Sequence, residues 1–322
     1  MRQLATEGTS RPSRRRTALT AVSATLMLVL VGAVACTQDA KPDETVESLR
    51  AGSPTLRDKT RWRIVVRHSL PLLGEQDKRT GEYKGFDIEI AKAVAAELGF
   101  DESKIDWVRF STNDERLTLL QNGTADMTVA TLSITDEREK LVDFAGPYLL
   151  VPQAVLLSKR RTKTLDTIAD LRAKNVRVCA LIGSTSAKAL ETKGIVPEHV
   201  NNHDKCMDGM RSGRYDAYST DLTILLGFLS NKADFDTFEI SDLAIADTVE
   251  RIGIGLPNND ENLRKLVSYI LERWRTGPKE NSPWLRAYDR TIGPLLDLKY
   301  RSQPLVDNPP RLADYDSKVP RQ

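Results

Sequence analysis

The 322-residue chain reads as an α/β protein. Two observations predict this. Short apolar runs that end in glycine or hydroxyl residues alternate with segments whose apolar residues recur at helical spacing, and strand alternating with helix gives an α/β fold. A five-residue unit also repeats: Asn122-Gly123-Thr124-Ala125-Asp126 is echoed by Ser212-Gly213-Arg214-Tyr215-Asp216, each after a short helix and before a strand. The length leaves room for two domains. Charge excludes one class of partner: 47 basic and 45 acidic residues leave a net +2, with no basic stripe and interleaved aromatics, which argues against nucleic acid.

The first element is an export signal. Residues 11–16 are basic, 18–35 are apolar and small, and Ala33-Val34-Ala35 precede Cys36. This predicts a lipoprotein signal peptide over 1–35, with Cys36 as the lipidated residue. Ser13-Arg14-Arg15 also permits twin-arginine export. The alternative is a transmembrane anchor, because the apolar run is nearly long enough to span. Acyl chains on Cys36 would hold the protein on the extracellular face of the cytoplasmic membrane. Residues 36–60, polar and carrying Pro42 and Pro54, read as a flexible tether.

The folded part begins with a strand over 62–66. Arg67-His68-Ser69 follow at its carboxyl end, where Arg67 can face a cleft, and Pro71 and Gly74 turn the chain. Phe86, Ile90, Val94 and Leu98 recur at every fourth position and Gly99 follows, so 86–98 is a helix with a core face. A strand is expected over 105–110.

Residues 116–148 organise the rest. Asp114 is placed to cap a helix that buries Leu117 and Leu120 and stops at Gly123. A strand over 125–130 then delivers Thr131, Ser133 and Thr135 at its carboxyl end. Thr135 or Asp136 starts a new helical turn carrying Arg138. Hydroxyls, free backbone N–H groups and a planar two-pronged guanidinium suit a carboxylate. The alternative for Arg138 is a solvated helix charge.

Next come a strand over 149–157 containing Pro152, a helix over 165–171 and a strand over 176–181. Gly183-Ser184-Thr185-Ser186 then lead into a helix ending at Lys193, again an anion-binding geometry. The GK[ST] ending of a P-loop is missing, which argues against nucleotides. Five residues beyond Asp126 stands Thr131, and five beyond Asp216 stands Asp221. Equivalent units would put both at carboxyl ends of strands, where open α/β sheets bind ligands. Two lobes facing each other would then set carboxylate-binding groups against Asp221, matching the charges of an amino acid. The alternative for Asp221 is a cap on the helix over 222–229. A strand over 251–256 and a helix over 261–273, with Leu263, Leu266, Val267 and Ile270 on its apolar face, follow. Residues 299–322 read as a disordered tail.

The chain lacks a paired-carboxylate motif, a nucleophile elbow and zinc spacing. His68, His199 and His203 are not spaced as metal ligands. No cofactor or metal is expected.

Several ordered motifs together resemble a known family. They are GEYKGFDIEIAKAVAAELG over 81–99, G-x-x-D at Gly123 and Asp126, S-I-T-x-E-R from Ser133 to Arg138, and V-D-F-x-x-P-Y from Val142 to Tyr148. They are similar to the family 3 amino-acid-binding proteins of ABC importers, and the phrasing A-T-x-S-I-T-D-E-R with F-A-G-P-Y resembles the glutamate-binding lipoproteins of actinobacteria. The resemblance spans 63–293, and 284–292 resembles the family's closing helix. It implies a two-lobed, type II periplasmic-binding-protein fold with two hinge strands and a ligand cleft between the lobes. Lobe 1 would be 61–150 plus 252–298 and lobe 2 would be 151–251, with hinges around Leu150 and Arg251. The lobes would close on ligand through contacts that exist only in the shut state.

Carried over by position, the resemblance places the α-carboxylate on Arg138, helped by Ser133 and Thr185, with Ser184 also among the ligand-binding residues. It places the α-ammonium on Thr131 and Asp221. Arg116, in its L-L-Q-N-G context, and Arg67 would take a side-chain carboxylate, with His203 nearby. A second carboxylate needs a second cation, since an unpaired buried charge is costly. The alternatives are a solvated Arg116 and a surface His203. No aromatic stands at Leu70 or Leu72, where relatives stack one on polar or cationic ligands, and Arg251-Ile252-Gly253-Ile254-Gly255 lacks the aromatic of the usual Y-G-I-G-L return. With Cys36 lipidated, Cys179 and Cys206 are left to pair, as the resemblance implies, and that loop would contribute about 3–4 kcal/mol; the alternative is two free thiols.

The implied function is that of a monomeric extracellular lipoprotein, not an enzyme, that binds glutamate and docks on an ABC permease. The alternatives are a glutamine or asparagine binder, an amino-acid sensor signalling to a membrane receptor, and a dehydratase-like enzyme on the same scaffold.

Overall fold

The computed structural model describes residues 44–162, 165–243, 245 and 249–296. The expected signal peptide, Cys36 and the tail over 299–322 lie outside the described residues. Among the described residues no helix is long and apolar enough to cross a membrane.

The described chain opens with a correction. The second half of the expected tether is folded. Thr45 caps helix α1 (Val46–Gly52) in a reciprocal capping box with Ser48. Leu49 is buried, and Arg50 donates to the carbonyls of Leu98 and Glu97 at 2.7 and 2.8 Å. Asp260 accepts from Ser53 Oγ at 2.6 Å and from the Thr55 N–H at 2.9 Å. Arg50, Ser53 and Thr55, polar residues that read as tether, thus bond to the body of the protein.

Strand β1 (Trp62–Val65) follows, then a small antiparallel sheet of β2 (Ser69–Leu70), β3 (Gly74–Gln76) and β4 (Tyr83–Lys84). Helix α2 (Phe86–Glu97) buries Phe86, Ile90 and Val94 as its periodicity requires. Strand β5 (Ile105–Val108), helix α3 (Glu115–Gln121), strand β6 (Met127–Ser133) and helix α4 (Asp136–Glu139) complete the first run. Asp114 stands at the start of α3 but makes no side-chain cap bond. Its φ of −77° and ψ of −22° are already helical, whereas a capping side chain needs an extended backbone.

Strand β7 (Asp143–Ser158) is 16 residues long and runs through both halves of the molecule. Beyond it lie α5 (Lys159–Thr162), α6 (Ile168–Ala173), β8 (Val178–Leu181), α7 (Thr185–Thr192), β9 (Glu198–Val200), α8 (His203–Arg211), β10 (Ala217–Asp221), α9 (Leu222–Leu229), α10 (Lys232–Thr237) and β11 (Phe238–Ser241). Strand β12 (Val249–Leu256) returns, followed by α11 (Glu261–Thr276) and α12 (Pro283–Arg290).

The main sheet has the order β5-β1-β6-β12-β7-β10-β8-β9, with β11 also on β7. Parallel β5, β1 and β6 form one half and parallel β10, β8 and β9 the other. The antiparallel pair β7 and β12 joins them. Leu150 lies opposite Arg251, and the β12 register slips between Ile252 and Ile254. Beyond this point β7 exchanges β12 for β10, with Gln153 opposite Asp221. The result is a two-lobed, type II α/β fold.

The repeated unit has a structural meaning. Asp126 accepts from the Arg63 N–H at 2.9 Å, Nε at 3.0 Å and Nη2 at 2.6 Å. Asp216 accepts from the same three groups of Arg177, at 3.1, 2.9 and 3.1 Å. Gly123 and Gly213 turn the chain before these aspartates with φ of +71° and +75°, a conformation that favours glycine. Each clasp ties the start of an inner strand, β6 or β10, to its parallel neighbour, so the carboxyl ends of β6 and β10 emerge at equivalent places.

Cys179 on β8 and Cys206 on α8 form a disulfide, closing a span of 27 residues. It ties the first turn of α8 to β8. In the first lobe, Trp284 on α12 donates to the Tyr148 carbonyl at 2.7 Å and packs edge-on against Phe86, which holds α2 against β7.

Candidate functional site

The site is built on the carboxyl end of β6. Thr131 has φ +48°, rare for a β-branched residue and costing about 1–3 kcal/mol unless its surroundings enforce it. The surroundings do so. The Thr131 N–H donates to Asp87 Oδ2 at 2.9 Å, and Asp87 Oδ1 accepts from the Tyr148 hydroxyl at 2.8 Å. Arg116 Nη1 donates to the carbonyls of Ala130 and Thr131 at 2.9 and 3.0 Å, and its Nε to the Asn113 carbonyl at 2.9 Å. Arg67, just past β1, donates through Nε to Thr131 Oγ1 at 2.8 Å and through Nη2 to Asn113 Oδ1 at 3.0 Å. The Phe110 ring lies 5.2 Å from the Arg67 guanidinium and 5.7 Å from that of Arg116, within cation–π range.

Arg138 completes this wall. Thr135 caps α4 by accepting from the Arg138 N–H at 3.3 Å. The guanidinium donates to the Ser133 carbonyl at 2.8 Å and, across the cleft, to the Gly183 carbonyl at 3.2 Å. Arg116 is only 2% exposed, and Arg67 and Arg138 are 9% exposed. The alternative of solvated charges on helix faces does not hold for Arg116 or Arg138.

The second lobe supplies the opposite wall. Gly183 turns with φ +69°, and Ser184 caps α7 by accepting from the Ala187 N–H at 3.1 Å, which places Thr185 at the first helical position. Asp221 ends β10 at the cap position of α9, yet its carboxylate makes no cap bond. His203 is buried at the first position of α8, hydrogen-bonded through Nδ1 to the Tyr218 hydroxyl, and its Nε2 is buried without a partner. The alternative of a surface histidine is thus excluded.

All nine residues singled out from the sequence, Arg67, Arg116, Thr131, Ser133, Arg138, Ser184, Thr185, His203 and Asp221, line one space of about 20 Å³ between the lobes. The lobes meet around it: Asn113 Nδ2 donates to the Ile182 carbonyl at 3.1 Å, and Lys188 pairs with Glu137 at 2.6 Å. Asn113, Ser186, Thr220 and Ile224 share the lining and were not singled out. Neither was Asp87, one layer behind.

The electrostatics are one-sided. Among the described residues none of the three guanidiniums forms an ion pair. Burial lowers the pKa of Arg67 to about 10, that of Arg116 well below its usual value, and that of Arg138. Burial, then the neighbouring Glu250, raises the Asp221 pKa to about 7, and burial raises that of Asp87 to about 6. Burial, then the neighbouring Arg67 and Arg116, pushes the His203 imidazole well below its normal range, which favours its neutral form. The arrangement can hold more than one anionic group, plus a cation at Asp221. Among the described residues no group of three or more His, Cys, Asp or Glu is placed to hold a metal.

Comparison with known proteins agrees with this geometry. The family described as bacterial extracellular solute-binding proteins, family 3, matches residues 63–284. The glutamate-binding protein GluB of Corynebacterium efficiens is 28% identical over 81% of this chain and 87% of its own. The ABC transporter glutamine-binding protein GlnH of Bacillus subtilis is 28% identical over 80% and 91%. Among solved structures, an ancestral arginine-binding protein bound to arginine superposes with a TM-score of 0.63 at 26% identity, covering 72% of this chain and 98% of that one. An ancestral amino acid-binding protein described as a precursor of cyclohexadienyl dehydratase gives 0.63 at 26% identity, over 76% and 98%. The chain belongs to family 3 of the bacterial extracellular solute-binding proteins.

Proposed function

We propose that this protein captures an acidic amino acid, glutamate first, outside the cell for an ABC importer. One observation carries the reading: three buried guanidiniums without ion-pair partners face Asp221 across the interlobe space. Glutamate carries two carboxylates and one ammonium, and buried charges need opposite partners. Arg138, Ser133, Ser184 and Thr185 would take the α-carboxylate, and Asp221 with Thr131 the ammonium. Arg67 and His203 would take the side-chain carboxylate. Arg116 bonds backbone carbonyls with Nε and Nη1, so it acts mainly through its field and by shaping the end of β6.

Lobe 1 would comprise 61–150 with 252–298, and lobe 2 would comprise 151–251, flexing where Leu150 pairs with Arg251. A zwitterion touching both walls favours the shut form, because only there are all its contacts made. The protein would act as a binder rather than an enzyme, as a monomer held by a lipid on Cys36, and deliver its ligand to a permease. A thermal-shift panel of the twenty amino acids tests the reading: the largest upward shift should come from an acidic amino acid, and a largest shift from a cationic one would overturn it.

A further inference from the structure

Beside the inner space lies a second chamber of about 310 Å³, and Arg67 and His203 line both. Its other walls come from both lobes and are mostly polar: Ser69 and Ser111 on one side, Asn201 and Lys205 on the other. Helix α8 starts in this wall, with Asn202 accepting from the Lys205 N–H at 3.0 Å, and the disulfide holds it in place. His203, 4% exposed and with its Nε2 buried without a partner, is one of the two residues that line both spaces. In the tautomer whose Nδ1 accepts from the Tyr218 hydroxyl, a neutral imidazole carries its proton on Nε2 and can donate it. Asp204 is the one acid on the chamber's lining.

We propose that the ligand class extends to γ-glutamyl compounds: an acidic amino acid whose side-chain carbonyl is amide-linked to a further residue, that residue occupying the second chamber. This rests on the acidic amino-acid reading above and deepens it. Converting the side-chain carboxylate to an amide keeps a carbonyl oxygen for Arg67 and His203. The carboxylate of the added residue restores the lost negative charge, close to Lys205 and the start of α8, whose first N–H groups favour anions. The added peptide group meets hydroxyls and side-chain amides, which can satisfy both its N–H and its C=O. An extension gripped by residues 69 and 111 of one lobe and 201 and 205 of the other adds contacts that exist only with the lobes together.

Titration calorimetry with L-glutamate, γ-glutamylglycine and α-glutamylglycine tests this. The expected result is that γ-glutamylglycine binds within about tenfold of glutamate and the α-linked isomer does not bind. Ser111→Trp, which fills the chamber, and Lys205→Glu, which reverses its charge, should each lower the ratio of γ-glutamylglycine to glutamate affinity by about tenfold or more. A wild-type protein that binds glutamate but not γ-glutamylglycine, or a ratio unchanged in both variants, would overturn the proposal. Failure to bind glutamate itself would instead overturn the acidic amino-acid reading.

Discussion

The backbone N–H of Thr131 donates to the buried carboxylate of Asp87 across 2.9 Å, and this bond holds a β-branched residue in the left-handed conformation at the centre of the site. Removing it should be felt twice. Asp87→Ala leaves two buried donors, the Thr131 N–H and the Tyr148 hydroxyl, without an acceptor, at about 1–3 kcal/mol each. Denaturant unfolding should show a loss of about 2–6 kcal/mol. Ligand affinity should fall as well, since Arg67 leans on Thr131 Oγ1. A loss of stability with unchanged affinity would show that Thr131 does not matter to binding.

Arg138 is expected to be the single most damaging position for binding. It reaches from the Ser133 carbonyl to the Gly183 carbonyl and so touches both lobes. Breaking a buried charge pair costs about 3–5 kcal/mol. Arg138→Ala should therefore weaken amino-acid binding at least about a hundredfold by calorimetry. Unchanged affinity would remove Arg138 from the site.

The two arginines behind Thr131 should separate by what they do. Arg67→Gln should weaken glutamate more than glutamine, lowering the preference by about tenfold or more. Arg116→Gln should do the same and also destabilise the protein, because its guanidinium bonds three backbone carbonyls. Equal effects of Arg67→Gln on glutamate and glutamine would show that no side-chain carboxylate lies there.

Asp221 makes binding depend on pH. Its pKa is raised to about 7, chiefly by burial. An ammonium partner requires the ionised form, so ligand must displace a proton wherever the pH lies below that value. Affinity should fall about tenfold from pH 8 to pH 6, in the direction of protonation. Asp221→Asn should bind weakly and without this slope. A slope that persists in the variant would assign the titration to another group.

Much of the site could be read in the chain because its parts are local in sequence. The repeated unit located Thr131 and Asp221 by counting, and the clasps of Arg63 on Asp126 and Arg177 on Asp216 explain why the count works. Long-range partners carried no such signal. Asp87 sits in a helix whose apolar spacing marks it as core, and only the fold brings it to Thr131, 44 positions away. Asn113 was hidden beside Asp114, which looked like the cap. Phe110 read as the end of a strand, while its ring serves the two guanidiniums. Residues 45–55 read as tether because polarity is the same signal whether a side chain bonds to water or to a distant helix end.

The central claim is that opposed charges across the cleft select an acidic zwitterion, and calorimetric titration of the wild-type protein with L-glutamate, L-glutamine and L-arginine tests it most directly. Glutamate is expected to bind near the micromolar range, about −8 kcal/mol, glutamine at least about tenfold more weakly, and arginine not at all. Arginine binding more tightly than glutamate would contradict the account.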